Sequence, residues 1–158
     1  MKTINKVMFL CFILACTPAN AGSPHVFEHT VNKPMDHVYS AVYKGLEAEG
    51  FYVVFEANIG RNLSGFSKKW GENYNRNKLS GIRSMVFCNG WYANAVSNAD
   101  PSLLALCPLR MTLIEKEGKT TALFARPTVI AADSPAKKVL LRVENEVIAA
   151  IKASMPEK

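Results

Sequence analysis

The chain has 158 residues, 49% of them hydrophobic and 20% charged, with 19 Lys and Arg against 13 Asp and Glu for a formal net charge of +6. The length suits one domain with a proper core, and the mild positive excess falls far short of the dense basic stripe that nucleic-acid binding needs. No repeat or low-complexity segment is visible, and neither the apolar run of the first residues nor any later one is long enough to cross a membrane.

Residues 1–21 read as an export signal and not as part of the fold. Lys2 and Lys6 supply the positive start, Val7 to Ala15 is apolar, and Pro18-Ala19-Asn20-Ala21 offers the small-x-small pattern that signal peptidase reads. Cleavage is expected between Ala21 and Gly22, which sends the mature chain to the periplasm or the exterior. The competing reading takes Ile13-Leu14-Ala15-Cys16 as a lipoprotein box with Cys16 acylated; it ranks second because Leu14 stands where such boxes prefer a smaller residue. Removing 21 of 158 residues leaves 137, residues 22–158, as a single domain. The net charge falls from +6 to +4, because Lys2 and Lys6 leave and no acid leaves with them.

In chain order, His25 to Val31 alternates like a strand, with His25, Phe27, His29 and Val31 on one face. Asn32-Lys33-Pro34 breaks it, and proline is well placed to open a helix. Met35 to Glu49 sets Met35, Val38, Tyr39, Val42 and Leu46 on one side at helical spacing. Gly50 sits where a left-handed cap belongs, and Phe51 to Ala57 follows as a strand. Asn58 to Ser80 is the least regular part: Arg61, Lys68, Lys69, Arg76 and Lys78 are interleaved with Phe66, Trp70 and Tyr74, against one acid, Glu72. The aromatics recur every fourth residue, so part of it reads as a helix whose stripe packs on the sheet, with all three at least half buried. The sharper alternative is a basic-aromatic lid over a ligand.

Ile82 to Cys88 reads as a third strand and Trp91 to Asn98 as a short crossover helix. Leu103 to Cys107 is apolar, and Arg110 to Lys116 with Lys119 to Arg126 forms a hairpin around Glu117-Gly118. Ser134-Pro135 opens a last helix whose apolar face is Val139, Leu140, Val143, Val147, Ala150 and Ile151. The order β-α-β-(irregular/α)-β-α-β-β-α predicts an α+β domain, a mixed β-sheet with helices packed mainly on one face.

One ordered set of features is fairly specific. It comprises a helix closed by Glu49-Gly50-Phe51 with its strand and Asn58-Ile59, then Cys88-Asn89 ahead of a short alanine-bearing helix. Leu103-Leu104 running into Cys107-Pro108, the hairpin Glu115 to Thr120, and Pro127 complete it. From about Phe27 to Ile151 the chain resembles the domain-of-unknown-function family 302 (DUF302). The resemblance implies a fold and no agreed activity, so it lends no catalytic residues. Two departures stand out: Gly90 follows Cys88-Asn89 where family members usually have proline, and Leu106-Cys107-Pro108 stands where they commonly read Leu-Pro-Cys. A one-place shift along a strand turns a side chain to the other face, so a family-level pairing of the two cysteines is left open.

Cys88 and Cys107 are the two cysteines of the mature chain. In an oxidising compartment an even number usually pairs, and a Cys88–Cys107 bridge would close a loop of about 20 residues. The alternatives are two buried thiols acting as small hydrophobes, or a redox or metal role, although no CxxC spacing occurs. The candidate ligand site is the turn Cys88, Asn89, Gly90 and Trp91, where backbone amides at the helix start could meet a small anion. Arg110 is placed to reach its mouth and hold the anion by two hydrogen bonds, or else to serve as an ordinary strand-edge charge. His25 and His29 would stand about 13 Å apart on a strand, too far to share a metal ion, so they and His37 read as solvated or edge histidines. No metal site and no cofactor is expected.

No nucleophile elbow, P-loop, dinucleotide fingerprint or zinc motif occurs. Ser64, Ser67, Ser80 and Ser84 lack evident histidine–acid partners, and Glu144 and Glu146 read as solvated charges of the last helix. The sequence therefore describes a non-catalytic exported domain that binds a small anion or a partner protein, a homo-oligomer included. A redox or metal-handling accessory using Cys88 and Cys107, and a lipoprotein anchor through Cys16, are its alternatives.

Overall fold

The computed structural model describes residues 23–157. The leader, the Ala21-Gly22 cleavage site and the Cys16 lipid box lie outside the described residues. The chain forms β1 (Val26–Val31), α1 (Met35–Ala48), β2 (Tyr52–Ala57), α2 (Ile59–Ser64), α3 (Ser67–Trp70) and a 3-10 turn (Gly71–Asn73). It continues as β3 (Gly81–Cys88), α4 (Gly90–Ala99), a 3-10 helix (Pro101–Leu106), β4 (Leu109–Lys116), β5 (Lys119–Ala125), α5 (Pro127–Ile130) and α6 (Lys137–Ser154). This is the α+β domain that the order of elements predicts.

The strands form one sheet in the order β1-β5-β4-β3-β2. Every neighbouring pair is antiparallel, where a mixed sheet was expected. The reason lies in two connections. The chain crosses through α1 from one edge strand, β1, to the other, β2, so these two, which run the same way, never become neighbours. And α4 is not a crossover: the excursion through α4 and the 3-10 helix returns to the end of the sheet that it left, so β3 and β4 pair directly, down to Phe87 opposite Leu109. The apolar stretch Leu103 to Cys107 becomes 3-10 helix instead of strand, because Pro101 opens it and the Asp100 side chain accepts from the Ser102 amide.

One face of the sheet carries the helices. α1 buries Met35, Val38, Tyr39, Val42 and Leu46, the stripe that its spacing predicts, and Gly50 closes it at φ +77. These residues meet Phe51, Phe87 and Phe124 from the sheet side and Val143, Val147 and Ile151 from α6. A residue such as Leu46, with no exposed surface, contributes roughly 2 kcal/mol by leaving water. A second cluster, Val96, Leu103, Ala131, Ala136 and Leu140, holds the α4 excursion against the start of α6.

The last helix also corrects an expectation. Glu144, read as a solvated charge, is buried at 4% exposure. It lies four residues from Leu140 and three from Val147 on the inward face, with Arg126 as its counter-ion at 2.7 Å. Glu146 faces outward and accepts from the Tyr92 hydroxyl.

Candidate functional site

The turn after β3 is built from its own side chain. Asn89 stands at the N-cap of α4, and its Oδ1 accepts from the amides of Trp91 (3.1 Å) and Tyr92 (3.2 Å). The Trp91 and Tyr92 amides, two of those that a small anion would use, are therefore already satisfied. Cys88, Asn89 and Cys107 line one cavity with Phe51, Tyr92, Leu109 and Leu140, of about 10 Å³. That is room for about one water and no ligand. Gly90 is exposed, and Trp91 is 65% exposed and stands outside the cavity.

Arg110 goes elsewhere. Its neighbour Met111 is in the core, and alternation along β4 turns Arg110 to the opposite face of the sheet, where it is exposed. There it borders a separate hollow of about 310 Å³ with Leu106, Pro108, Arg126 and Pro127. The structure thus brings together Cys88, Asn89 and Cys107, leaves the Trp91 side chain outside their cavity, and puts Arg110 on the other face of the sheet.

Both thiols are free and half-buried. Burial first, and then the neighbouring Cys88, push the Cys107 thiol up. Of the histidines, His29 is tied to the Met155 carbonyl oxygen through Nε2 at 2.8 Å, while His25 and His37 are exposed. Among the described residues no group of three or more His, Cys, Asp or Glu stands ready for a metal ion, and no helix is long and apolar enough to cross a membrane.

The segment 58–80 makes the larger hollow. It folds as short pieces, not as one helix, because Gly71 at φ +51 ends α3. Asn58 caps α2 by accepting from the Arg61 amide at 2.9 Å. Farther on, Asn75, itself at φ 45, turns the chain back by bonding both the amide (2.9 Å) and the carbonyl (2.8 Å) of Leu79. Phe66 and Trp70 stack on each other at 5.0 Å, 49% and 39% exposed, and neither joins the core. Tyr74 is half-buried.

These turns enclose a hollow of about 660 Å³, lined by Asn58, Arg61, Leu63, Trp70, Asn73, Tyr74, Arg76, Asn77 and Ile82 among others, with no carboxylate in the lining. The volume is in the range of small-molecule sites. Charge is concentrated here too. Arg61, Lys68, Lys69, Arg76 and Lys78 against Glu72 give this segment +4, the entire excess of residues 22–158. None of the five cations forms an ion pair among the described residues. The interleaving of bases and aromatics was visible in the sequence; the hollow between them was not.

A further polar cluster escaped the sequence reading. The Tyr39 hydroxyl donates to Glu56 Oε2 at 2.6 Å, and the Arg83 guanidinium lies 3.5 Å from the centre of the Tyr39 ring. Arg83 also meets Asp36 at 3.4 Å and Glu56 at 3.9 Å. Its members come from α1, β2 and β3, so no local spacing announces it.

Residues 27–154 match the family model described as Domain of unknown function DUF302. Among solved structures, the crystal structure of an uncharacterized conserved protein DUF302 from Bacillus stearothermophilus matches with a TM-score of 0.71 at 17% identity. The match covers 85% of this chain and 100% of that one, and it shows a shared fold. None of the curated proteins matches the chain.

Proposed function

The chain belongs to the DUF302 family, whose description names a fold unit and no reaction, and from that premise we propose that it is an exported, non-catalytic binding domain for a small organic anion. The seat of the anion is the hollow under segment 58–80. One observation carries this reading: a cavity of about 660 Å³ lined by Arg61, Arg76, Trp70 and Tyr74 without a carboxylate. Guanidinium groups grip carboxylate or phosphate through two parallel hydrogen bonds, and aromatic faces cover the planar or apolar remainder of a ligand. The amides of Asn73 and Asn77 add neutral donors and acceptors.

The turn at Asn89 has less support as an anion seat, since the Trp91 and Tyr92 amides are occupied and Arg110 lies on the other face. Export rests on the sequence of residues 1–21.

The test uses benzoate and inorganic phosphate as probes, titrated calorimetrically into the parent protein and into Arg61→Gln/Arg76→Gln. Benzoate is expected to bind more tightly than phosphate, with both weakened at least about tenfold in the variant, as the loss of charge-assisted hydrogen bonds implies. Parent and variant should unfold at the same temperature, because both arginines are exposed. Equal binding by parent and variant, or no binding by either, defeats the reading.

A further inference from the structure

We propose that Cys88 and Cys107 form a reversible intramolecular disulfide, closed by a low-molecular-weight disulfide such as oxidised glutathione, that staples the two feet of the α4 excursion. The sheet places them there. β3 and β4 pair down to Phe87 opposite Leu109, so the chain leaves the ladder at Cys88 and re-enters it just after Cys107. Both side chains line the same cavity, and its volume of about 10 Å³ leaves no space for a ligand between them. Both residues are half-buried, so a small reagent can reach them while the pocket walls, Phe51, Tyr92 and Leu140, limit their motion. This inference is independent of the anion seat, which lies in segment 58–80.

The exchange balances in two steps. The Cys88 thiolate attacks one sulfur of the reagent, forming a mixed disulfide and expelling the first small thiolate. The Cys107 thiolate then attacks Cys88 Sγ, forming the internal bond and expelling the second. Two electrons pass from the protein to the reagent, and the protons of the two protein thiols end on the two released thiols.

The crosslink bounds residues 88–107, a loop with its own small core of Val96 and Leu103 against α6. Closing it removes freedom from the unfolded chain, and for about 20 residues the gain is a rise in Tm of about 10 °C.

The experiment treats the full chain with oxidised glutathione, blocks remaining thiols with N-ethylmaleimide, digests it with chymotrypsin, which cuts at Trp91 and Tyr92 between the two cysteines, and reads the peptides by mass. Digestion separates this bridge from any involving Cys11 or Cys16. The expected result is a linked peptide pair holding Cys88 and Cys107, lost on reduction, with the Tm rise in the undigested sample. Retained glutathione on either thiol, or maleimide on both, overturns the proposal. Cys107→Ala provides the second check: it should trap glutathione on Cys88, and an unmodified Cys88 overturns the order of attack.

Discussion

Arg126 Nη1 meets Glu144 Oε1 at 2.7 Å, joining the residue that follows β5 to the middle of α6. The other carboxylate oxygen accepts from the Thr128 amide at 3.2 Å and from the Thr128 hydroxyl. A carboxylate only 5% exposed in its side chain is tolerated because both of its oxygens find donors, one of them a cation. Arg126→Ala should therefore cost about 3 kcal/mol in urea unfolding, since it strands a buried charge. Replacing both partners with Met and Leu should cost much less than the single change. An unshifted midpoint for Arg126→Ala would show that Thr128 alone satisfies the carboxylate.

That pair also marks where the sequence stops being readable. The spacing of Leu140, Glu144, Val147 and Ile151 places Glu144 inward, but its charge argues for water, and nothing local names Arg126, 18 residues earlier, as its partner. The α1 stripe and the Gly50 cap were legible because both depend on neighbours within a turn or two. Strand order was not, because it depends on whether a connection crosses the sheet or comes back, and the α4 excursion comes back. In segment 58–80 the residue types were legible, while the hollow depends on Gly71 and Asn75 at positive φ folding the chain upon itself.

Tyr39 should govern an alkaline limit of stability. Burial first, then the hydrogen bond and charge of Glu56, push its phenol well above the ordinary value, against the smaller opposing effect of Arg83. The protonated phenol is favoured in the folded state, so its contribution is complete below about pH 10, where the unfolded phenol titrates, and is lost as pH rises beyond that. Tyr39→Phe should cost about 1.5 kcal/mol at neutral pH, a hydrogen bond to a charged group. It should also flatten the fall in Tm between pH 9 and 11, on the scale of an ordinary phenol. A variant that retains the parent's alkaline slope assigns that slope to Tyr43 or Tyr92, both of which are raised by neighbouring glutamates.

Asp100 should act at the acid end. Its Oδ1 accepts from the Ser102 hydroxyl at 2.6 Å and the Ser102 amide at 3.1 Å, and its Oδ2 from the Ser134 hydroxyl at 2.6 Å. The Ser102 hydroxyl first and the Ser134 hydroxyl second hold this carboxyl below its usual range. The ionised form is thus favoured by folding: its contribution is present above about pH 4 and disappears as pH falls through the folded value. Asp100→Asn should lower Tm at pH 7 and leave it unchanged near pH 2, with hydrogen exchange of the 101–106 amides accelerating first. Equal losses at both pH values would assign the effect to packing.

Gly50 and Asn89 couple the end of α1 to the start of α4. Gly50 holds φ +77, and a Cβ built on it would stand 3.3 Å from Asn89 Nδ2. Gly50→Ala therefore carries two penalties. The left-handed backbone costs about 1–2 kcal/mol for an L side chain, and the new methyl crowds the amide whose Oδ1 caps Trp91 and Tyr92. Asn89→Ala alone should cost about 1 kcal/mol, the usual loss of an N-cap. It also removes the atom that the methyl would strike. In the Asn89→Ala background, then, Gly50→Ala should cost only its backbone share, and the double variant should be more stable than the sum of the two single losses allows. Chemical unfolding of all four proteins completes the cycle. Strict additivity would place the whole cost of Gly50→Ala in its backbone angle and leave the contact with Asn89 without energetic weight.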